Sequence, residues 1–241
     1  MLVTAIILAA GKGKRLTHRT PKPLIRIKSK PLIIYSLEAI SRNKFIKNII
    51  IVVNKYNKKR ISTVIRQYKI QKIKRIVLGG ERRQDSAYNA LKVIDRDTQL
   101  ILIHDAARPF IEKKLLVSVI KEAQRYGAAV LGVPVKVTIK RVTRSQGHKA
   151  ASRIVVEKTL DRSRLWEIQT PQVFRKELIL RAYNKFKRLN VTDDASLVEK
   201  LGSKVVLVEG SSLNIKITAK QDLIIAKAIL NTRACERGAG Y

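Results

Sequence analysis

Apolar residues in this chain collect into short runs divided by longer amphipathic stretches. Val3 to Leu8, Ile49 to Val53, Arg75 to Leu78, Leu100 to Ile103, Ala128 to Val133 and Val205 to Val208 are apolar at nearly every position and rich in β-branched residues. Strands covered on both faces of a parallel sheet have this composition. Between them, apolar positions recur with helical spacing near Leu32 to Ser41, Lys58 to Tyr68, Asp85 to Val93, Lys113 to Tyr126, Lys176 to Leu189, Asp194 to Leu201 and Lys220 to Asn231. Strands alternating with helices predict an α/β fold, a sheet flanked by helices whose ligands gather at the carboxyl ends of the strands.

The alternation breaks at Lys136 to Asp161. Thr138 to Thr143 and Ser152 to Lys158 are short strand-like runs joined by Arg144-Ser145-Gln146-Gly147-His148. They predict a hairpin projecting from the main sheet. An isolated two-stranded ribbon is marginal in water, so it needs something to pack on, and a second copy of the chain is the simplest candidate. The pattern therefore predicts a single domain over residues 1–230, with an arm at about 136–161, and a frayed tail over 231–241.

Composition narrows the function classes. The one cysteine, Cys235, rules out an intrachain disulfide and suggests neither a cysteine-rich zinc site nor a thiol nucleophile. No apolar run is long enough to span a membrane, and the N-terminus enters a strand at once, so a soluble cytoplasmic protein is expected. The formal charge of +33, from 51 Lys and Arg against 18 Asp and Glu, raises nucleic-acid binding. Its densest basic stretch, Lys55 to Arg75, interleaves with Ile61, Val64, Ile65 and Tyr68 as the solvated face of an amphipathic helix does. Aromatic residues are only 5% of the chain, too few for base-stacking platforms, and the cations are spread over the whole sequence. The expectation is no specific nucleic-acid partner, with weak attraction to polyanions at low salt.

The strand ending at Leu8 runs into Ala9-Ala10-Gly11-Lys12-Gly13-Lys14-Arg15, with Pro21-Lys22 shortly after. Gly11 and Gly13 lack Cβ, so backbone N–H groups can wrap phosphate oxygens while Lys12, Lys14, Arg15 and Lys22 supply cations. Leu16 stands where the dinucleotide fingerprint needs a third glycine, and no Gly-Lys-Ser/Thr follows, so this is neither that motif nor a Walker A loop. It reads as a nucleoside triphosphate site. Gly79-Gly80-Glu81-Arg82-Arg83-Gln84-Asp85-Ser86 opens a helix, where Ser86 is either a cap or, with the glycine backbone, a contact to base and ribose. His104-Asp105-Ala106-Ala107-Arg108-Pro109 follows a buried strand. Asp105 there is a candidate Mg²⁺ ligand, since that ion takes one or two carboxylates plus phosphate oxygens. Arg108 is either its salt-bridge partner or a substrate contact, and His104 reads as a hydrogen-bonded core residue. Lys216, in Asn214-Ile215-Lys216-Ile217-Thr218, is a candidate for neutralising charge on a reacting phosphate.

These segments, together with Thr138-Ile139-Lys140, Leu160-Asp161-Arg162-Ser163-x-Leu165-Trp166 and Gln169-Thr170-Pro171-Gln172, resemble in order the motifs of the 2-C-methyl-D-erythritol 4-phosphate cytidylyltransferases from about Val3 to Leu230. The resemblance implies a Rossmann-like, GT-A-like nucleotidyltransferase fold with a mixed, mostly parallel sheet and a β-arm that embraces a dimer partner. It implies CTP as substrate with Mg²⁺. Ala9, Ala10, Gly11, Lys12 and Gly13 would bind its phosphates, Gly80 and Ser86 the cytosine and ribose, and Arg15, Lys22 and Lys216 would surround the α-phosphate. Arg108, Thr138 and Lys140 would line the acceptor pocket, with Arg162 and Thr170 supplied by the other subunit. One position departs: the family usually has Asp before Thr-Ile-Lys, and this chain has Val137. Because that aspartate is expected to meet acceptor hydroxyls, a cytidylyltransferase for another polyol phosphate, such as ribitol 5-phosphate, is the nearest alternative. A basic nucleic-acid-binding protein built on the same fold is the distant one.

Overall fold

A computed structural model describes residues 1–11, 20–145 and 153–238. In chain order the elements are β1 (Val3–Leu8), β2 (Arg26–Ile27), β3 (Lys30–Pro31), α1 (Leu32–Ser41), β4 (Ile46–Val53), α2 (Lys58–Gln67), β5 (Ile73–Leu78), α3 (Arg83–Leu91), β6 (Leu100–Asp105), α4 (Lys113–Tyr126) and β7 (Ala128–Pro134). The hairpin strands β8 (Ile139–Ser145) and β9 (Arg153–Leu160) follow, then β10 (Trp166–Arg175), α5 (Lys176–Lys185), α6 (Ala195–Glu199), β11 (Val206–Glu209) and α7 (Lys220–Gly238). The main sheet has seven strands in the order β11-β7-β10-β6-β1-β4-β5, and β2-β3 and β8-β9 form separate two-stranded ribbons.

The unbroken apolar runs explain the sheet. Val3, Ala5 and Ile7 of β1 pack with Ile49 and Ile51 of β4 beneath α1 and α4, through Ile33, Leu37 and Val119. Ile6, Ile50 and Val52 face the opposite way, against Ala87 and Ala90 of α3 and Ile179 and Ala182 of α5. Both faces are therefore covered, and each fully buried Val, Leu or Ile contributes about 1.5–3 kcal/mol. The strand ends that bear the candidate site are thus fixed to a rigid centre.

β10 is the strand the hydrophobic pattern does not predict. It lies antiparallel to both β6 and β7, inside a sheet whose other pairs are parallel. Its sequence hides it. Pro171 cannot donate to a ladder, and the register on β7 skips from Gln169 to Gln172, so Thr170 and Pro171 bulge out of the pairing. Its polar residues are satisfied locally, Gln172 Oε1 accepting the N–H groups of Asp194 and Ala195 at 3.1 and 3.2 Å.

Two helix ends differ from their sequence expectation. α5 stops at Lys185 rather than Leu189. The carbonyls of Phe186, Lys187 and Leu189 turn instead to Gln84 and Arg82 at the start of α3, at 3.4–3.5 Å. α7 does not fray at Asn231; it runs on to Gly238, the first helix-breaking residue in that stretch. Arg233 ties it down by donating to Phe110 O at 3.2 Å. Among the described residues, no helix is long and apolar enough to cross a membrane.

Candidate active site

A cavity of ≈ 540 Å³ opens at the carboxyl ends of β1, β4, β5 and β6, where a sheet of this kind places its ligands. Ala9, Ala10 and Gly11 form one wall, Gly80, Arg83 and Ser86 another, and Asp105 with Ala106 and Ala107 the floor, while Lys22, Lys216 and Thr218 close the remaining side. The chain thus brings together Ala9, Ala10, Gly11, Lys22, Gly80, Ser86, Asp105 and Lys216 from segments far apart in sequence. Lys12, Gly13 and Arg15 lie outside the described residues.

Backbone geometry brings the glycine wall close. A Cβ on Gly79 would lie 2.6 Å from Ala10 Cβ and from Ser86 Oγ, so only glycine lets the β5–α3 turn meet the loop after β1. Ser86 Oγ accepts the Gly80 N–H at 3.1 Å, so the serine closes the turn within the protein and also faces the cavity.

Asp105 is the centre of charge. One carboxylate oxygen accepts from Arg83 Nε at 3.2 Å and the other from Lys216 Nζ at 2.6 Å. Burial favours protonation of this carboxyl, but the charges of Arg83 and Lys216 outweigh it and hold the group well below the usual carboxylate range. Lys216 reaches it because Ile217 is fully buried and donates its N–H to Ala107 O at 2.9 Å, which leaves the preceding side chain facing the cavity. Arg83 occupies the first turn of α3, where the helix dipole disfavours a cation. Its second partner is Asp194, whose Oδ2 lies 2.8 Å from Nη1 but off the N–H axis, an ionic contact rather than a directed hydrogen bond. The salt-bridge role that the sequence left open for Arg108 therefore belongs to Arg83.

Arg108 is buried beside the cavity and donates to Asn214 O at 2.8 Å and Ile168 O at 3.4 Å. His104 is fully buried. Its Nε2 donates to Arg108 O at 2.9 Å, which leaves Nδ1 to accept from the Thr170 hydroxyl at 3.1 Å, while that hydroxyl accepts the Asp105 N–H at 3.1 Å. Burial pushes the imidazole down to about 4, so it is neutral near pH 7 and acts as a structural link, as its sequence position suggests. Thr170 is thus held inside its own subunit, and to donate to an acceptor phosphate in a partner's site its hydroxyl would have to give up the bond to His104 Nδ1. Thr138, Lys140 and Arg162 are exposed at the base of the hairpin, outside this cavity. Lys140 Nζ donates to Thr159 Oγ1 at 2.5 Å, and Arg162 donates to Lys136 O.

Sequence reasoning assigned no role to Arg83 or Asp194. The usable signal was the cation at a helix start; in sequence Asp194 looks like an ordinary N-cap acid, and only the structure shows that its side chain caps nothing.

Among the described residues no three His, Cys, Asp or Glu side chains converge on a metal position. Asp105 is an ionised carboxylate on the cavity floor, the kind of donor a hard divalent ion takes beside phosphate oxygens, and its two oxygens here accept from Arg83 and Lys216, so an ion there would share them with Arg83 or displace Lys216.

A Rossmann-like sheet with a nucleotide-sized, cation-edged cavity at its strand ends places the molecule among the nucleotidyltransferases. The family model for 2-C-methyl-D-erythritol 4-phosphate cytidylyltransferase matches residues 3–232. A 2-C-methyl-D-erythritol 4-phosphate cytidylyltransferase of Dictyoglomus thermophilum is 45% identical over 95% of this chain and 96% of that protein, and one of Geobacillus kaustophilus is 41% identical over 96% and 98%. The crystal structure of the Anaerococcus prevotii 4-diphosphocytidyl-2C-methyl-D-erythritol synthase superposes with a TM-score of 0.82 at 32% identity, covering 95% of this chain and 96% of that one. The chain belongs to the 2-C-methyl-D-erythritol 4-phosphate cytidylyltransferase family.

Proposed function

We propose that this cavity transfers CMP from CTP to 2-C-methyl-D-erythritol 4-phosphate, giving 4-diphosphocytidyl-2-C-methyl-D-erythritol and pyrophosphate in the non-mevalonate route to isoprenoid precursors. The observation that supports it most is the Asp105–Lys216 pair at 2.6 Å, facing the backbone of Ala9 to Gly11 across one cavity.

The acceptor's phosphate oxygen attacks the α-phosphorus of CTP in line, and the bond from that phosphorus to the bridging oxygen of pyrophosphate breaks. A phosphate monoester has a second pKa of about 6 and is mostly dianionic at neutral pH, so no general base is required. The barrier lies in bringing polyanions together and stabilising charge on the transferring phosphoryl group. Lys22, Lys216 and Arg15 supply the cations, the Gly11 loop supplies backbone N–H donors, and Gly80 with Ser86 orients cytosine and ribose. Asp105 is the residue that would hold Mg²⁺, which when bound screens phosphate charge. Arg108, Thr138 and Lys140 recognise the acceptor.

The arm supports a homodimer. Val142, Ile154, Val155 and Val156 are exposed on a two-stranded ribbon that has no core of its own, so a second copy supplies the missing cover. Arg162 at its base is the residue offered across that interface to the acceptor phosphate. The substrates are soluble phosphates, and the reading is of a cytoplasmic enzyme without a specific nucleic-acid partner.

The test is pyrophosphate release from each nucleoside triphosphate with methylerythritol phosphate and, as a control, ribitol 5-phosphate. CTP with methylerythritol phosphate should be fastest. Faster turnover with ribitol 5-phosphate would reassign the acceptor, a result to which the exposed Val137 gives a place to look. No CTP-dependent release would overturn the reading.

A further inference from the structure

We infer that Asp194 is a positioning residue that keeps Arg83 from capturing the whole Asp105 carboxylate and so leaves one of its oxygens for Lys216. The inference rests on the cytidylyl-transfer reading for what Lys216 does, but its geometry stands apart from it.

Four charges alternate in sign from behind the sheet to the cavity. Asp194 contacts Arg83 at 2.8 Å, Arg83 contacts Asp105 at 3.2 Å, and Asp105 contacts Lys216 at 2.6 Å. Asp194 is 1% exposed, so its charge needs compensation inside the protein. It sits at the N-cap of α6 without capping it; the neighbouring Asp193 does that through Ser196 N at 3.2 Å. The Asp194 carboxylate is instead held from two sides. The Tyr183 hydroxyl donates to Oδ1 at 2.5 Å, and Gln172 Oε1 fixes the backbone at Asp194 N.

A guanidinium closes both parallel N–H groups on a carboxylate when geometry permits, because the bidentate pair is the stronger one. Arg83 meets Asp105 through Nε alone, with Nη1 beside Asp194. Without that anion anchoring Nη1 the guanidinium plane is free to turn until Nη2 joins Nε on Asp105, where it competes with Lys216 for Oδ2 and loosens the lysine that faces the reacting phosphate. Lys216 is the group this chain of contacts places, so the effect belongs on kcat more than on the KM for CTP.

The experiment compares wild type, Asp194→Asn, Arg83→Gln and the double variant by crystal structure, thermal midpoint and CTP-dependent pyrophosphate release. In Asp194→Asn crystals Arg83 should meet Asp105 through two N–H groups, with Lys216 Nζ outside ion-pair distance. An unchanged Arg83 and Lys216 would overturn the inference. kcat should fall about 10- to 100-fold, the range expected when a catalytic group is misplaced by an ångström or so. The double variant should be no slower than Arg83→Gln alone, since Asp194 acts only through that arginine. Additive losses, as a merely structural role would give, contradict it. If Asp194→Asn does not fold, Tyr183→Phe decides: removing one hydroxyl should lower kcat a few-fold at unchanged KM for CTP, and wild-type kcat contradicts the inference. Should wild type itself release no pyrophosphate from CTP, the functional reading fails while the crystallographic comparison still decides the positioning.

Discussion

His104 shows how much a single buried side chain can fix. It links Thr170 on β10 to the carbonyl of Arg108 and is held neutral, with burial pushing it down to about 4 from 6.5. Between those values the unfolded chain binds a proton that the folded chain refuses. The contribution of His104 to stability is therefore complete above pH 6.5 and is lost as pH falls toward 4, by about 3 kcal/mol. Denaturant unfolding at several pH values should show this loss in wild type, and His104→Gln should flatten that part of the slope; identical slopes would contradict the burial argument. At Gly79 the constraint is steric. A Cβ there would meet Ala10 and Ser86 at 2.6 Å, so Gly79→Ala should raise the KM for CTP by about tenfold with a smaller change in kcat. Steady-state kinetics checks it, and unchanged KM would remove the turn from the nucleotide wall.

Among the elements, those buried on both faces were readable from sequence because their apolar runs are continuous; β1, α1 and α4 match their expected limits. β10 was not, because Pro171 and the polar residues around it are tied to neighbours that are distant in sequence, such as Asp194. The same distance hid the Arg83–Asp194 pair, whereas Asp105 was visible as a residue at a strand end and Lys216 as a cation in the alternating run Asn214 to Thr218, which the structure leaves as an irregular segment between β11 and α7. The phosphate loop was legible from Gly11, yet Lys12 to Arg15 lie outside the described residues. Strands β8 and β9 pair antiparallel near the two runs that break the alternation, and their exposed valines carry an element-level prediction. Val156, 55% exposed, replaced by Asp should shift the protein to monomer on sedimentation without lowering its thermal midpoint by more than a few degrees. Mixing Arg162→Ala with Lys216→Ala chains should then restore partial activity only in the arm-competent background; no restoration would confine Arg162 to its own subunit or remove it from the site.

For the whole molecule, the charge of +33 is carried by cations spread along the sequence, and among the described residues Lys22, Arg82, Arg83 and Lys216 line the cavity. A diffuse field is screened within about 8 Å at physiological salt. Oligonucleotide binding by fluorescence anisotropy should accordingly vanish by roughly 0.2 M KCl while CTP turnover persists, and tight binding that survives that salt would point to a dedicated polyanion surface. The cavity itself answers to a more direct measurement. Pyrophosphate release from CTP and methylerythritol phosphate by Lys216→Ala, compared with wild type at equal folded fraction, should fall by about 10²- to 10³-fold, the usual cost of one preorganised transition-state donor. Near-normal turnover by that variant would contradict the claim that the Asp105–Lys216 pair marks the place where the phosphoryl group is transferred.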